Sequence, residues 1–355
     1  MIDNRNIIVS SATVSDALEK LNSLSGEEMT LIVVDSPNKL EVCGTLTNGD
    51  VRRALLRGIT LEQPVSEAMF KEFRRIEAEK ADNVDDIREM RNLGIRIIPV
   101  VDKSGKLVDI MNINEQSVKL PLSVILMAGG KGERLRPLTL TKPKPLLEVD
   151  GKAIIDYNIE ALSRVGIDDI TVTTRYLAEQ IEEHFRTPVA GLNVKCVSEN
   201  MPMGTIGSAA LVERKPGGNT LIMNSDLLTT VSFEDMYIKH RDFDADVTVG
   251  VIPYQVSVPY AILGVDGDNV TSIDEKPAFS HYANAGIYIF RNEILDALPN
   301  DKPTDAPDLI RSVIQCGGKV TYHVINGTWI DIGSPTDYRQ AGELMRHHRN
   351  LSRRG

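Results

Sequence analysis

Apolar and polar positions alternate in two textures along this chain. In the first, Val14, Ala17, Leu18 and Leu21 recur at a helical spacing through residues 14–24, with Ser15 placed to cap. Thr30–Val34 is a short apolar run that predicts a strand, Ser36-Pro37-Asn38 a turn, and Val42–Leu46 a second strand. Asn48-Gly49-Asp50 opens a helix that runs to Arg57. The same order then returns. Residues 84–93 have a helical period, Ile95–Val101 reads as a strand, 102–106 as a turn and Leu107–Met111 as a strand. Helix, strand, turn and strand thus appear twice at a spacing of roughly 65–70 residues, an internal duplication of α+β type.

The second texture starts after a polar stretch, Asn112 to Pro121, that closes on a proline. It divides the chain into residues 1–117, a connection at 118–122, and residues 123–355. From Ser123 short apolar runs alternate with amphipathic segments. Strands are expected at 123–128, 169–173, 194–197, 220–224, 245–252, 261–265, 270–274, 285–290, 319–324 and 328–332. Helices are expected at 154–165, 177–185, 204–213 and 335–348. This alternation predicts an α/β domain built on a mostly parallel sheet.

Composition narrows the class. A length of 355 residues suits two domains, and 42% hydrophobic with 25% charged residues suits an ordinary water-soluble globular protein. The net charge of −10 argues against a nucleic-acid partner. Cys43, Cys196 and Cys316 are far apart and have neither a disulfide nor a zinc spacing, which fits a reducing, cytoplasmic setting. The N-terminus carries no signal-peptide pattern, and no apolar run reaches the ~18 residues of a membrane span. The histidines show no metal-ligand spacing and read as surface or packing residues.

Candidate chemistry concentrates in Leu126-Met127-Ala128-Gly129-Gly130-Lys131-Gly132-Glu133-Arg134-Leu135-Arg136-Pro137. Gly129, Gly130 and Gly132 follow a buried strand, so backbone N–H groups can form an anion cradle, and Lys131, Arg134 and Arg136 add charge. A second basic cluster, Thr141-Lys142-Pro143-Lys144-Pro145, follows closely. The arrangement suggests a triphosphate site. A Walker loop is excluded because Glu133 follows Gly132, and the dinucleotide fingerprint fails at Leu135. L-x-A-G-G-x-G-x-R-L-x-P followed by K-P-K-P-L-L resembles the signature of sugar-1-phosphate nucleotidyltransferases, over about residues 122–345. The resemblance implies a Rossmann-like nucleotidyltransferase domain in which a nucleoside triphosphate condenses with a sugar 1-phosphate and releases pyrophosphate. It also implies nucleotide contacts at Leu126, Ala128, Gly129, Gly130 and Gly132, with Arg134 on the β/γ-phosphates and Lys144 by the α-phosphate.

Asp226 ends a predicted strand, where ligands of open parallel sheets sit. Asp331 lies inside an apolar run, where a lone carboxylate is costly. Mg²⁺ held by both resolves the two cases, and the family uses these positions as metal ligands. Glu199-Asn200-Met201-Pro202-Met203-Gly204-Thr205 is similar to the family's base-reading loop. A carboxylate only accepts hydrogen bonds, so Glu199 favours the N1–H and 2-amino group of guanine. Uracil and thymine suit an amide better, and cytosine ranks second. GTP is therefore the expected nucleotide, with Gly204 and Thr205 beneath its base. Asp274-Glu275-Lys276-Pro277 and Asn284-Ala285-Gly286 resemble the family's sugar-binding segments, which implies sugar contacts at Glu275, Lys276 and Asn284. Ala261 stands after Tyr260 where many relatives have glycine, which bears on the sugar pocket.

The duplicated N-terminal region resembles a tandem CBS pair, a regulatory unit that often binds adenine nucleotides and often dimerises. Gly44 to Arg53 is similar to that family's G-x-x-T-x-x-D-x-x-R, which implies ribose contacts for Thr47 and Asp50. The alternative for this pair is a helix cap. The second copy, Val108 to Asn114, lacks the glycine and threonine. A CBS pair ahead of this transferase resembles the arrangement in bacterial legionaminic-acid pathways, which implies glucosamine 1-phosphate as substrate and a homo-oligomer. Mannose 1-phosphate is the competing substrate. A nucleotide-sensing regulator with a degenerate transferase fold is the non-enzyme alternative.

Overall fold

The computed structural model describes residues 4–24, 29–81, 83–113 and 118–352, with side chains to residue 347. The chain divides into two compact units between Lys119 and Leu120. In the first, β1 (Ile7–Val9), α1 (Val14–Ser23), β2 (Thr30–Val34), β3 (Val42–Thr47) and α2 (Asn48–Leu56) form one layer. β4 (Ile76–Glu77), α3 (Val84–Asn92), β5 (Ile97–Val101) and β6 (Leu107–Asn112) form the second. Each sheet has three strands, a parallel pair followed by an antiparallel one. The register slips at Val33/Val34 in one sheet and at Val100/Val101 in the other, so even the irregularity repeats. Ile32, Val34 and Val42 meet Ile97, Val101 and Leu107 in a shared core. Two expectations change here. Thr13, not Ser15, caps α1, because its hydroxyl accepts from Asp16 N–H while the Asp16 carboxylate accepts from Thr13 N–H. Of the polar stretch Asn112 to Pro121, residues 114–117 lie outside the described residues, and the expected connection at 118–122 is part of the folded chain. Val118 and Leu120 are buried, and Leu122 already belongs to a strand.

The second unit contains β7 (Leu122–Ala128), β8 (Glu148–Val149), β9 (Lys152–Ala153), α4 (Ile154–Arg164), β10 (Ile170–Thr174), α5 (Ala178–His184) and β11 (Lys195–Ser198). β12 (Asn219–Asn224), β13 (Leu227–Thr229), α6 (Phe233–Asp242), β14 (Val247–Ser257), β15 (Ile262–Asp266), β16 (Asn269–Asp274) and β17 (Ala278–Arg291) follow. The chain closes with α7 (Asn292–Asp296), α8 (Ala306–Gln315), β18 (Val320–Val324), β19 (Trp329–Asp331) and α9 (Pro335–Ser352). The central sheet runs β11-β10-β7-β12-β17-β14-β18, and β17 alone is antiparallel to its neighbours. The sheet is mostly parallel, as the alternation predicts. Its strands β7 and β12 bury apolar residues on both faces, as central strands of a mostly parallel sheet do. Phe290, Ile206 and Ala209 pack one face. Among the described residues, no helix is long and apolar enough to cross a membrane.

The helix expected at 204–213 is a five-residue 3-10 turn, Gly207–Leu211. The carbonyl of Thr304, from a distant loop, accepts from both Ile206 N–H (3.1 Å) and Gly207 N–H (3.2 Å), and it holds the 204–206 backbone out of helical geometry, with Gly204 at φ +77° and Ile206 at φ −145°.

His240, on α6, is 2% exposed and lies with Nδ1 2.9 Å from Thr248 Oγ1 and Nε2 3.1 Å from Asn219 Oδ1. A neutral ring protonated on Nε2 satisfies both. Burial, with Arg291 nearby, lowers its pKa to about 4. The unfolded chain titrates near 6.5, so between these values only the unfolded state takes the proton. Stability therefore falls as pH falls through this window, by up to about 3 kcal/mol at pH 4. Thermal melts from pH 7 to 4 should show this slope, and His240→Gln should flatten it while lowering Tm at pH 7.

Candidate active site

β7, β12, β10 and β11 lie side by side and parallel, so their C-terminal ends form one edge. A cavity of about 570 Å³ opens there, lined by the glycine turn after β7, Asn224 to Asp226 after β12, Arg175 after β10, and Glu199 after β11. This is where open parallel sheets hold ligands. Three one-turn helices, Glu133–Leu135, Leu138–Leu140 and Lys144–Leu146, carry the chain from the glycines to the second basic cluster. They are fixed by a run of hydrogen bonds. Thr139 Oγ1 donates to Gly132 O (2.8 Å), Tyr176 Oη to Thr139 O (2.9 Å), and Gln180 Nε2 to Thr141 O (2.9 Å).

That path buries Lys144, whose Nζ donates to Asp226 Oδ2 and lies 3.5 Å from Asp331 Oδ1. β13 and β19 bring the two acids together, since Leu227 and Asp331 are register partners and Ile332 N–H donates to Asp226 O at 3.2 Å. Residues remote in sequence thus share one point. Burial pushes the Asp331 carboxyl above its ordinary range, Asp226 adds to this, and Lys144 and Arg134 oppose it. Asp226 Oδ1 is buried with no hydrogen-bond partner. Arg134 lies over Gly333, with its guanidinium 3.1 Å from where a Cβ would stand. Among the described residues, no cluster of three or more His, Cys, Asp or Glu could cage a metal. An orphaned carboxylate oxygen beside a second carboxylate does fit Mg²⁺, which takes one or two protein carboxylates and fills its shell with phosphate oxygens and water.

At the other end of the cavity Glu199 is 8% exposed, with its carboxyl packed on Gly129. A Cβ at 129 would stand 2.7 Å from Glu199 Oε1, so a side chain there would push the Glu199 carboxylate aside. Burial raises the Glu199 pKa, and hydrogen bonds from Met203 N–H and Ser208, with the charge of Arg175, work against it. The loop below is stitched to the start of α8. Thr205 N–H donates to Asp305 Oδ1 (2.9 Å) and Ala306 N–H to Thr205 Oγ1 (2.9 Å).

The structure gathers Ala128, Gly129, Gly130, Gly132, Arg134, Lys144, Glu199, Gly204, Thr205 and Asp226 around one cavity, with Asp331 joined through Lys144. Leu126 is different: its side chain is wholly buried in β7 and lies outside the lining. Glu275 and Lys276 are exposed, and Asn284 donates to Tyr288 Oη (2.8 Å) and accepts from Gly286 N–H (2.9 Å); these three also lie outside it. In the first unit, Thr47 and Asp50 form a capping box on α2, and Arg53 pairs with Asp50 at 2.6 Å. Thr47 also lines a separate cavity of about 300 Å³ with Phe70, Phe73, Arg74 and Arg96. Arg175 and Asn224 complete the active-site lining and are absent from the sequence reading. Their positions at strand C-termini were the available signal.

A family model described as nucleotidyl transferase matches residues 123–347. The mannose-1-phosphate guanylyltransferase catalytic subunit beta of Danio rerio is 31% identical over 226 residues, 61% of this chain and 62% of that protein. Its namesake from Dictyostelium discoideum is 29% identical over 225 residues, with the same shares covered. The chain therefore spans about three fifths of the length of these relatives. A crystal structure of a Bacillus anthracis chain, provisionally named glucose-1-phosphate thymidylyltransferase, covers 63% of this chain and 95% of that one at a TM-score of 0.50 and 21% identity, a likeness of fold alone.

Proposed function

The chain belongs to the nucleotidyl transferase family, and from that premise we propose that it transfers a guanylyl group from GTP to a sugar 1-phosphate, giving a GDP-sugar and pyrophosphate. The observation that carries this reading is a single cavity with a cation between two acids at one end and a buried carboxylate at the other. The distance between those ends is bridged by the glycine turn, which suits a nucleotide lying across it with phosphates at Lys144 and base at Glu199. The relatives named as guanylyltransferases support the guanine half.

A phosphate oxygen of the sugar 1-phosphate attacks the α-phosphorus as the bond to pyrophosphate breaks. No covalent enzyme intermediate is needed, so positioning and charge neutralisation carry the rate. Arg134 holds the β/γ-phosphates. Lys144 leaves its carboxylate partners enough to meet the α-phosphate and the incoming phosphate. Mg²⁺ held by Asp226 and Asp331 supplies neutralisation of phosphate charge when bound.

Glucosamine 1-phosphate is the preferred acceptor on the fusion argument, with a legionaminic-acid pathway as the setting and the cytoplasm as the place. Mannose 1-phosphate has the support of the relatives' names. Glu275, Lys276 and Asn284 are the residues proposed to hold the sugar, beside the lined part of the cavity. The first unit acts as a CBS-type sensor for an adenine nucleotide, with Arg74, Arg96 and two phenylalanines around its cavity; its pairing makes a homo-oligomer. A pyrophosphate-release assay over four triphosphates and several sugar phosphates tests the whole reading. GTP should be used at least ~100-fold better than CTP, UTP or dTTP, the scale at which a site rejects a mispaired base. Nucleotide binding with no turnover on any acceptor would leave the sensor alternative standing.

A further inference from the structure

The base end of the cavity holds a group that the guanylyl reading does not use. Arg175 is the first residue after β10, and Glu199 the first after β11. These strands are parallel, with Thr174 and Ser198 in register, so the two side chains leave the sheet as neighbours. Glu199 N–H donates to Thr174 O at 2.7 Å, which locks that placement. Arg175 Nε lies 3.7 Å from Glu199 Oε2, adjacent but too far for a hydrogen bond. That Nε is buried and has no acceptor at all. Of the three buried side-chain atoms without a partner among the described residues, two, Arg175 Nε and Asp226 Oδ1, belong to residues lining this cavity. A buried donor left unmade is costly, and a donor kept so beside an acceptor points to a ligand that takes it.

We infer that Arg175 is a specificity residue that donates to the 6-oxygen of guanine while Glu199 accepts from N1–H and the 2-amino group. This rests on the guanylyl reading above and adds the half of the base that a carboxylate cannot read. The neighbouring pair offers a donor and then acceptors along one line. Guanine offers the complement, an acceptor followed by two donors. Every other base meets this line with at least one clash. Adenine turns its amino group to the guanidinium and a lone pair to the carboxylate. Uracil and thymine match at the 4-oxygen and N3–H but set the 2-oxygen against the carboxylate. Cytosine, turned over, matches at both ends and sets its N3 lone pair against it. A single good base-edge contact from a paired side chain discriminates roughly tenfold to a hundredfold, so Arg175 and Glu199 together reach what neither does alone.

The test compares GTP, ITP and 6-thio-GTP on the full-length chain, wild type and Arg175→Met. ITP keeps the 6-oxygen and N1–H but lacks the 2-amino group; 6-thio-GTP keeps both donors and replaces the oxygen by sulfur, a weak acceptor. The wild type should use 6-thio-GTP about tenfold or more worse than GTP in kcat/KM. Arg175→Met should lower kcat/KM for GTP and for ITP by about the same tenfold to hundredfold, change 6-thio-GTP much less, and leave the GTP-to-ITP ratio as it was. Glu199→Gln should instead narrow that ratio. Equal loss on all three nucleotides with Arg175→Met would assign Arg175 to phosphate or to structure and overturn the inference. So would equal use of GTP and 6-thio-GTP by the wild type, a comparison that needs no variant. A wild type that prefers CTP or dTTP over GTP is a different failure, that of the guanylyl reading itself.

Discussion

Lys144→Ala is expected to lower kcat by at least ~100-fold, the scale of losing one transition-state stabiliser, while raising the affinity of the chain for a divalent cation. Both effects come from one geometry. The Lys144 ammonium lies between Asp226 and Asp331, the position a cation would want. Two carboxylates this close raise each other's cost of ionisation, and the raised pKa of Asp331, set first by burial and then by Asp226, records it. Without the lysine, the pair is left more strongly anionic, so Mn²⁺ used as a probe should bind more tightly in a calorimetric titration. Turnover should fall because the same ammonium is the charge proposed to meet the phosphorus under attack. A metal-site role alone predicts tighter binding with turnover intact; a purely structural lysine predicts neither effect, only a lower Tm. Near-normal kcat in this variant would remove Lys144 from the chemistry.

The sequence shows the strands of the sheet more clearly than the segments between them. β7, β10 and β12 are apolar runs between helical segments, and that pattern predicts them to within a residue or two because burial on both faces leaves few alternatives. The segment 204–213 fails for the opposite reason. Its small and apolar residues would allow a helix, but the competing acceptor is Thr304, far away in sequence, and no local pattern contains it. α6 and α8 go unread although Ser232 caps the one and proline stands in the first turn of the other, signals that a helix search keyed to apolar spacing passes over. In the site, Asp226 and Asp331 could be paired only through a resemblance, because their meeting depends on the β13–β19 register. Arg175 had no such help. Thr173-Thr174-Arg175-Tyr176 is an unremarked strand end until the register with β11 sets it beside Glu199.

Gly204→Ala should cost about 2–4 kcal/mol of stability and raise KM for GTP at least ~10-fold. Gly204 has φ +77°, and a Cβ there would stand 2.5 Å from Thr304 O and 3.0 Å from Asp305 Oδ1. The first of these is backbone and cannot swing aside. Thr304 is already committed, since its N–H donates to Met203 O and its carbonyl accepts from Ile206 and Gly207. Asp305 in turn holds Thr205 N–H. A methyl at 204 must therefore move the whole 203–207 loop off the start of α8, and this loop also gives Glu199 its hydrogen bond from Met203 N–H. Loss of that bond adds to the desolvation that already raises the Glu199 pKa, so the base end loses its fixed acceptor. Lys144 is held by Asp226 and Asp331 rather than by this loop, so kcat at saturating GTP should fall much less than kcat/KM. Urea unfolding and initial rates over a GTP series check the two halves separately. A stable variant with an unchanged KM would show that the loop can shift at no cost, and would take Gly204 out of nucleotide binding.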